Sequence, residues 1–283
     1  LSSYALYNRA NDELFYYRNK ELLDFERNDV TKIVFHNHNQ TLEVEKDDDG
    51  DWIIKQPLEY EAESVRIIET FNKIRLQKIK SFVEEHPENL RNYGLDNPGR
   101  WIEFSLGDST HSLFFGDVAG SKGDNYYTIS NQNNPVFEMD SSTVHYLTPR
   151  LFDLRDKKIV GYSSETIDEV HITKDNTQYV FTKEDSTGNW YMTVPENRKA
   201  NRIRFENVIS EFIVNRAVGF IDDPGMGHSR YGLVPPEADY SIYADGAMVE
   251  HFQLGKKGEK GRYFYNVTKD QMFLLKFDLY PKL

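Results

Sequence analysis

Apolar and polar residues alternate along much of this chain, which is the pattern of β-strands with one buried face. Ile33 and Phe35, and then Leu42 and Val44, alternate in this way on either side of residues 36–39. Those four residues are histidines and asparagines, so they predict the turn of a β-hairpin. The folded part of the chain is therefore expected to begin with two antiparallel strands.

A third strand and a helix are expected after the hairpin. The strand begins at Trp52 and stops at Pro57, because proline has no N–H group to donate to a sheet. Beyond Pro57, apolar residues recur every three or four positions, which is the spacing of an amphipathic helix of about 12 to 16 residues. The residues assigned to its buried face are Val65, Ile68, Phe71 and Ile74.

Short strands are predicted for most of the first half of the chain beyond this helix. Ser141 and Ser142 come before apolar residues, which indicates a short closing helix. Because strands outnumber helices several times, the predicted class is α+β with antiparallel sheets, and a βαβ dinucleotide fold is disfavoured. The alternating stretches, separated by glycine-bearing loops, are residues 76–83, 102–106, 113–115 and 127–129.

The same order of features occurs twice. Trp52 and Trp190 are 138 residues apart, and the triplet at 93–95 has the same separation from the triplet at 231–233. A series of matches at an almost constant offset predicts two tandem copies of one domain. The signature shared by the copies is Trp52, Pro57, Tyr93, Gly94, Leu95 and Pro98, matched by Trp190, Pro195, Tyr231, Gly232, Leu233 and Pro236.

These matches divide the chain into three parts. Residues 22–150 are assigned to the first copy and residues 151–283 to the second. Residues 1–21 mix aromatic and charged side chains, so they form either a juxtamembrane helix or an amphipathic arm on the first domain. In the second copy, the helix face corresponding to that after Pro57 consists of Ile203, Phe205, Val208, Ile209 and Phe212.

Composition and charge exclude several functional classes. The 283 residues include 34 basic and 46 acidic side chains, a net charge of −12, which argues against a nucleic-acid partner. The chain has no cysteine, so disulfides, thiolate metal sites and cysteine nucleophiles are excluded. Residues 1–150 have a net charge of −10 and residues 151–283 a net charge of −2. The two copies are therefore expected to have different partners.

No catalytic, cofactor or metal site is predicted, and the chain is not expected to be an enzyme. The matched residues are Trp, Pro, Gly, Tyr and aliphatic types, which build cores and turns rather than nucleophiles or bases. The acidic stretch at residues 47–51, four aspartates with Gly50 in fourth place, lacks calcium-loop spacing and is interpreted as a turn. His36 and His38 lack a third ligand nearby in sequence, so a zinc site is disfavoured.

Neighbouring aromatic residues suggest an alternative function, the binding of a glycan or a protein. Residues 126–127 and 263–265 place rings on opposite faces of a strand, so some of the rings are expected to be exposed. Exposed tyrosine rings suit glycan or protein contacts. Of these residues, Tyr126 and Phe264 are predicted to make such contacts.

The order of these motifs resembles the domain-of-unknown-function 4340 family of bacterial proteins. The resemblance rests on Trp52 with Pro57, the helix after them, the 93–98 motif and the stretch Leu154-Arg155-Asp156-Lys157. It implies an N-terminal membrane anchor, absent from this chain, with the body in the periplasm or on the extracytoplasmic face of the inner membrane. Members often accompany components similar to ABC permeases. The resemblance implies no catalytic residues.

The sequence thus predicts a non-catalytic extracytoplasmic scaffold or accessory protein of a membrane-associated, transport-like complex. Its partners would be protein subunits of that complex, and the membrane contact would be made only through the missing anchor. The alternative is a glycan- or peptide-binding module that uses exposed aromatic residues. A hydrolase is a third hypothesis, which requires a pocket with convergent polar groups in one copy. The sequence does not specify the oligomeric state.

Overall fold

The structure is a computed structural model, and the N-terminal arm predicted at residues 1–21 lies outside the part of it that can be described. The described residues are 22, 25–77, 81–120, 122–131, 133–184, 186–222 and 227–276.

The first unit is built around one antiparallel sheet of nine strands. Its strand order is β4-β3-β2-β1-β6-β7-β8-β9-β5, so most neighbours in the sheet are also neighbours in sequence. The strands are β1 (Lys32–Asn37), β2 (Gln40–Lys46), β3 (Trp52–Gln56), β4 (Tyr60–Glu61), β5 (Ser81–Glu84), β6 (Arg100–Leu106), β7 (Ser109–Ala119), β8 (Asn125–Ser130) and β9 (Asn133–Asp140). The helices are α1 (Ser64–Leu76), α2 (Ser141–Leu147) and α3 (Leu151–Leu154), with 3-10 helices at Arg27–Asp29 and Leu90–Tyr93.

The second unit has the same strand order, and each of its strands has a number nine higher than its counterpart in the first unit. Its sheet runs β13-β12-β11-β10-β15-β16-β17-β18-β14. The strands are β10 (Ile167–Lys174), β11 (Thr177–Lys183), β12 (Trp190–Val194), β13 (Arg198–Lys199), β14 (Gly219–Ile221), β15 (Ala238–Ala244), β16 (Ala247–Lys257), β17 (Arg262–Asn266) and β18 (Gln271–Leu275). The main helix is α4 (Arg202–Val214), and a 3-10 helix spans His228–Tyr231.

The fold is mostly β, which corrects the predicted α+β class. Each unit has nine strands but one main helix, and α1 and α4 are only 13 residues long. The physical reason is that short segments without alternation, such as β5 and β14, also become strands by pairing with β9 and β18 at the sheet edges. The coarser prediction, antiparallel sheets with one main helix in each half, is confirmed.

The division between the units lies between Asp156 and Lys157, six residues after the predicted boundary at residue 150. The backbone N–H of Glu63 donates to the carbonyl oxygen of Leu154 at 2.8 Å, which ties α3 to the first unit. The guanidinium of Arg155, a residue that is 2% exposed, stacks 3.8 Å from the ring centre of Tyr60. The segment after residue 150 therefore completes the first core.

The buried face of α1 differs from the predicted one. Ile67, Phe71 and Ile74 are buried, whereas Val65 is 62% and Ile68 39% exposed. Each residue turns an α-helix by about 100°, so Val65 lies roughly 160° around the axis from Ile67. The second unit repeats this arrangement. There the buried residues are Phe205, Ile209 and Phe212, and Ile203 is 72% exposed.

Candidate functional site

The Trp and Pro residues of the repeat signature lie in the cores and at strand ends. Trp52 and Trp190 are 9% and 2% exposed, and each begins the third strand of its sheet. That strand ends directly before Pro57 in the first unit and before Pro195 in the second, which confirms the predicted strand end. Both prolines follow a cis peptide bond. These residues define the fold of each unit.

The Tyr-Gly-Leu triplets end the two longer 3-10 helices. Gly94 and Gly232 both have the left-handed backbone, with φ of 65° and 71°, which other residues rarely adopt. The leucines that follow, at positions 95 and 233, are buried. The Tyr93 ring packs edge-on at 5.1 Å from the ring of Tyr127, and Tyr231 packs similarly at 4.8 Å from Tyr263. The triplets therefore stabilise the fold.

Two clefts occupy matched places, between the main helix and the segment that enters the first strand of each unit. Their volumes are about 420 and 400 Å³. Phe71 and Asn72 in the first cleft correspond to Ile209 and Ser210 in the second. The first cleft is lined by Leu22, Phe25, Glu26, Arg27, Asn28, Phe71, Asn72, Ile74 and Arg75. The second is lined by Ser164, Glu165, Lys183, Gly188, Trp190, Arg202, Glu206, Asn207, Ile209 and Ser210.

A matched pair of lysines holds the entering segments in place. The Lys46 ammonium donates to the carbonyl oxygen of Asn28 at 3.0 Å, and Lys183 donates to that of Glu165 at 3.3 Å. The two lysines are 137 residues apart, as are their acceptors. This identical pair was not among the predicted residues, although the offset would have revealed it. In the second cleft, Arg202 also pairs with Glu206 at 2.8 Å. Lys183, Arg202 and Glu206 all line the second cleft.

Exposed aliphatic side chains lie at matched positions where α1 and α4 begin. Val65 and Ile203 are each the second residue of their helix, are 138 residues apart, and are 62% and 72% exposed. We define the first helix surface as Leu58, Glu59, Glu61, Glu63, Val65, Ile68 and Glu69. We define the second helix surface as Val194, Arg198, Lys199, Arg202, Ile203 and Arg204. Leu58 and Val194 are 40% and 38% exposed.

The side of α1 next to the first helix surface is held by a cation–aromatic cluster. The Arg66 guanidinium lies 3.2 Å from the ring centre of Tyr146 in α2 and donates to the carbonyl oxygen of the same residue at 2.6 Å. Burial lowers the pKa of Arg66, and nearby carboxylates, including Glu69, oppose this change. The Tyr146 hydroxyl donates to Glu69. This cluster fixes α1 against α2.

A family model described as Domain of unknown function (DUF4340) matches residues 52–236, about two thirds of the chain. The chain belongs to this family. The DUF4340 match begins at Trp52 and ends at Pro236, so it includes the whole repeat signature. It runs as one stretch, and the duplication remains an inference from the sequence offsets and the shared strand order. No curated protein and no solved structure matches the chain.

The two aromatic residues predicted to make contacts are buried in this DUF4340 protein. Tyr126 is 8% and Phe264 0% exposed, so neither ring offers an interaction surface. Phe264 stacks between Phe252 and Phe273, at centroid distances of 4.8 and 5.6 Å. The sequence prediction placed neighbouring rings on opposite faces of each strand. The ring that it selected on each strand, however, faces the core. The rings on the opposite faces, including Tyr127, are half-buried.

The opposite face of the first sheet carries a different aromatic pair. His36 and Trp101 are cross-strand partners on β1 and β6, and their rings stack at 5.2 Å with planes 10° apart. Both are half-buried. The Nδ1 atom of His36 lies 2.9 Å from the Thr41 hydroxyl, whereas His38 lies in the turn. Within the described residues, no group of three or more histidine and carboxylate side chains is arranged to hold a metal ion.

The second sheet brings together a polar row that sequence spacing did not reveal. Ser241 on β15 is the cross-strand partner of His171 on β10 and of His251 on β16. The Nε2 atoms of these histidines lie 2.7 Å from a Glu169 oxygen and 3.0 Å from an Asp239 oxygen. Only strand register assembles this row. It lies outside the linings of the two matched clefts, on a partly exposed sheet face.

Proposed function

We propose that this DUF4340 protein is a non-catalytic, extracytoplasmic scaffold or accessory protein of a membrane-associated complex. The observation that carries the proposal is the matched exposure of Val65 and Ile203. Covering a large aliphatic side chain with another molecule lowers the free energy of the complex, because apolar surface is removed from water. The centres of protein interfaces are commonly apolar. A single exposed aliphatic residue is ordinary. Exposure at the same helix position in two units supports a surface that binds proteins.

Charge supports separate partners for the two units. Residues 1–156 contain 17 basic and 28 acidic side chains, whereas residues 157–283 contain 17 and 18. Opposite or unequal charges around similar apolar centres select different partner surfaces. The extracytoplasmic location and the transport-like complex come from the resemblance to the family. In the described residues, no helix has the length and apolar character needed to cross a membrane.

The test is an affinity capture from native membranes with three forms of the chain. The wild-type protein is compared with the double variant Val65→Lys/Ile203→Asp and with the control Met248→Asp, which changes a residue that is 54% exposed elsewhere in the second unit. We expect wild type and control to retain the same membrane-complex subunits and the double variant to lose them. Equal recovery with all three forms, or no envelope subunit with any form, would reject the proposal.

A second candidate function is binding of a glycan or peptide on the outer face of the first sheet. The stacked, half-exposed pair of His36 and Trp101 favours it, because a flat aromatic face can pack against a sugar ring or an extended peptide. Glycan and peptide arrays probed with wild type and Trp101→Ala test this function. A ligand retained by wild type and lost by the variant would support it, and empty arrays would exclude it.

A further inference from the structure

We propose that the first helix surface of one molecule binds the second helix surface of another molecule, so that copies join head to tail. This inference rests on the proposed function, because it assigns a partner to the same exposed surfaces. It goes further by naming that partner as a second copy of this chain.

Charge is the first argument for this pairing. Residues 58–69 contain one basic and four acidic side chains, a net charge of −3. The matched residues 196–207 contain four basic and two acidic side chains, a net charge of +2. Lys55, just before this range, pairs with Glu59 at 3.0 Å. With Lys55 included, residues 55–69 contain two basic and four acidic side chains, a net charge of −2, so the two signs stay opposite. Complementary charge steers and orients protein association.

Shape is the second argument. Both surfaces lie at the start of a 13-residue helix and on the segment before it, in units with the same strand order, and each has an aliphatic residue at the second helix position. The aliphatic side chains provide apolar area to bury, and the charges around them decide which surfaces meet. First-to-second contacts bring opposite charges together, whereas first-to-first and second-to-second contacts bring like charges together.

The pairing has a consequence for assembly. Because two different surfaces meet, each bound pair still has one free surface of each kind at its ends. Such contacts produce a ring if the rotation between copies closes, and an open chain if it does not. The mass of the purified protein should therefore rise with concentration above the 33.2 kDa of one chain.

The experiment measures mass by light scattering and sedimentation over a concentration series. Val65→Lys puts a positive charge opposite the basic second surface, and Ile203→Asp puts a negative charge opposite the acidic first surface. Both changes are at exposed positions in the first helical turn, and circular dichroism verifies that the variants are folded. We expect each variant alone to remain at one chain mass, with affinity reduced at least about tenfold.

Mixing the two variants gives the decisive result. Val65→Lys keeps an intact second surface and Ile203→Asp keeps an intact first surface, so an equimolar mixture should associate to at least a one-to-one dimer. The control Met248→Asp should associate like wild type. Raising the salt concentration from about 0.05 to 0.5 M should weaken wild-type association, since exposed charge pairs are screened.

Several results would overturn the proposal. These are a wild-type protein that stays at 33.2 kDa at all concentrations, dimers formed by one variant alone, or a mixture that shows no dimer. The membrane capture remains a separate readout. If self-association fails while the double variant loses the captured subunits, only the head-to-tail inference is rejected. If self-association succeeds while the capture finds no subunit, only the scaffold function is rejected.

Discussion

Gly116 lies so close to the carbonyl oxygen of Tyr93 that a side chain at position 116 would overlap this oxygen. Gly255 has the same relationship to the carbonyl oxygen of Tyr231 in the second unit. In each unit, the contact packs a long central strand against the 3-10 helix that ends in the Tyr-Gly-Leu triplet. Two pieces of backbone meet there, and neither can rotate away as a side chain could.

We therefore expect Gly116→Ala and Gly255→Ala each to lower the free energy of unfolding by about 1–3 kcal/mol, the usual cost of overpacking. Denaturant unfolding measures the change. Gly161→Ala is the control, because its added methyl group meets no atom within 4 Å and its φ lies outside the left-handed region. That variant should remain within about 0.5 kcal/mol of wild type. A similar loss in all three variants would contradict the close-approach explanation.

The rotation of the main helix is tested by two substitutions two residues apart. Ile67→Ala should lower the free energy of unfolding by about 2–5 kcal/mol, because Ile67 is 0% exposed and its loss leaves a cavity. Val65→Ala removes methyl groups that face solvent, so it should change stability by less than about 0.5 kcal/mol. Phe205→Ala and Ile203→Ala repeat the test on α4. If the position 65 variant were the more damaging one, the buried face of α1 would not be the one that contains Ile67.

The matched lysines should stabilise the segments that enter each sheet. Lys46→Met removes the donor to Asn28, and Lys183→Met removes the donor to Glu165. We expect each change to cost about 0.5–1.5 kcal/mol, as for a typical hydrogen bond, and to speed amide exchange in the entering segment. Lys55→Met, which breaks only an exposed ion pair, serves as the control and should cost less than about 1 kcal/mol. Unchanged exchange in both entering segments would rule out this role.

Tyr265 should make stability depend on alkaline pH. Burial, followed by the hydrogen bond that its hydroxyl donates to Asp270 at 2.7 Å, raises the pKa of Tyr265 from 10.0 to about 12. The folded protein therefore favours the neutral phenol. This contribution to stability is fully present below pH 10 and is lost as the pH rises through about 12.

Two measurements check this titration. Wild type should lose stability relative to Tyr265→Phe between pH 10 and about 12. The alkaline absorbance titration of wild type should show a late step, near pH 12, that is missing from the variant. Asp270→Asn should move this step to lower pH, because it removes the carboxylate that accepts the hydrogen bond of the phenol hydroxyl. Matching stability profiles for wild type and Tyr265→Phe would contradict the raised pKa.

Much of the fold could be predicted because strands and turns depend on local geometry. Alternation located β1, β2 and the central strands, and the missing N–H of Pro57 and Pro195 located two strand ends. The helix α1 lies where the apolar period predicted it, but the prediction of which face is buried was wrong. A period shows that one face is apolar, whereas the element packed against it decides whether Ile67 or Val65 is buried.

The candidate surfaces depended more strongly on tertiary structure. Alternation on β8 showed that Tyr126 and Tyr127 face opposite sides, but only the sheet and its covering helix decided that Tyr126 enters the core. Likewise, His171 and His251 are 80 positions apart in sequence, and strand register places both beside Ser241. Sequence distance does not encode cross-strand neighbours, so no spacing rule could have found that row.

The sequence alone specifies the order of the main strands and helices, the paired signature, and the opposite charges of residues 58–69 and 196–207. These properties depend on residue type and spacing along the chain. Packing between distant segments leaves Val65 and Ile203 outside the cores and brings Gly116 against the backbone of Tyr93. Exposure and close approach are set by the packing of distant segments, and chain-local periodicity does not specify which face that packing will cover.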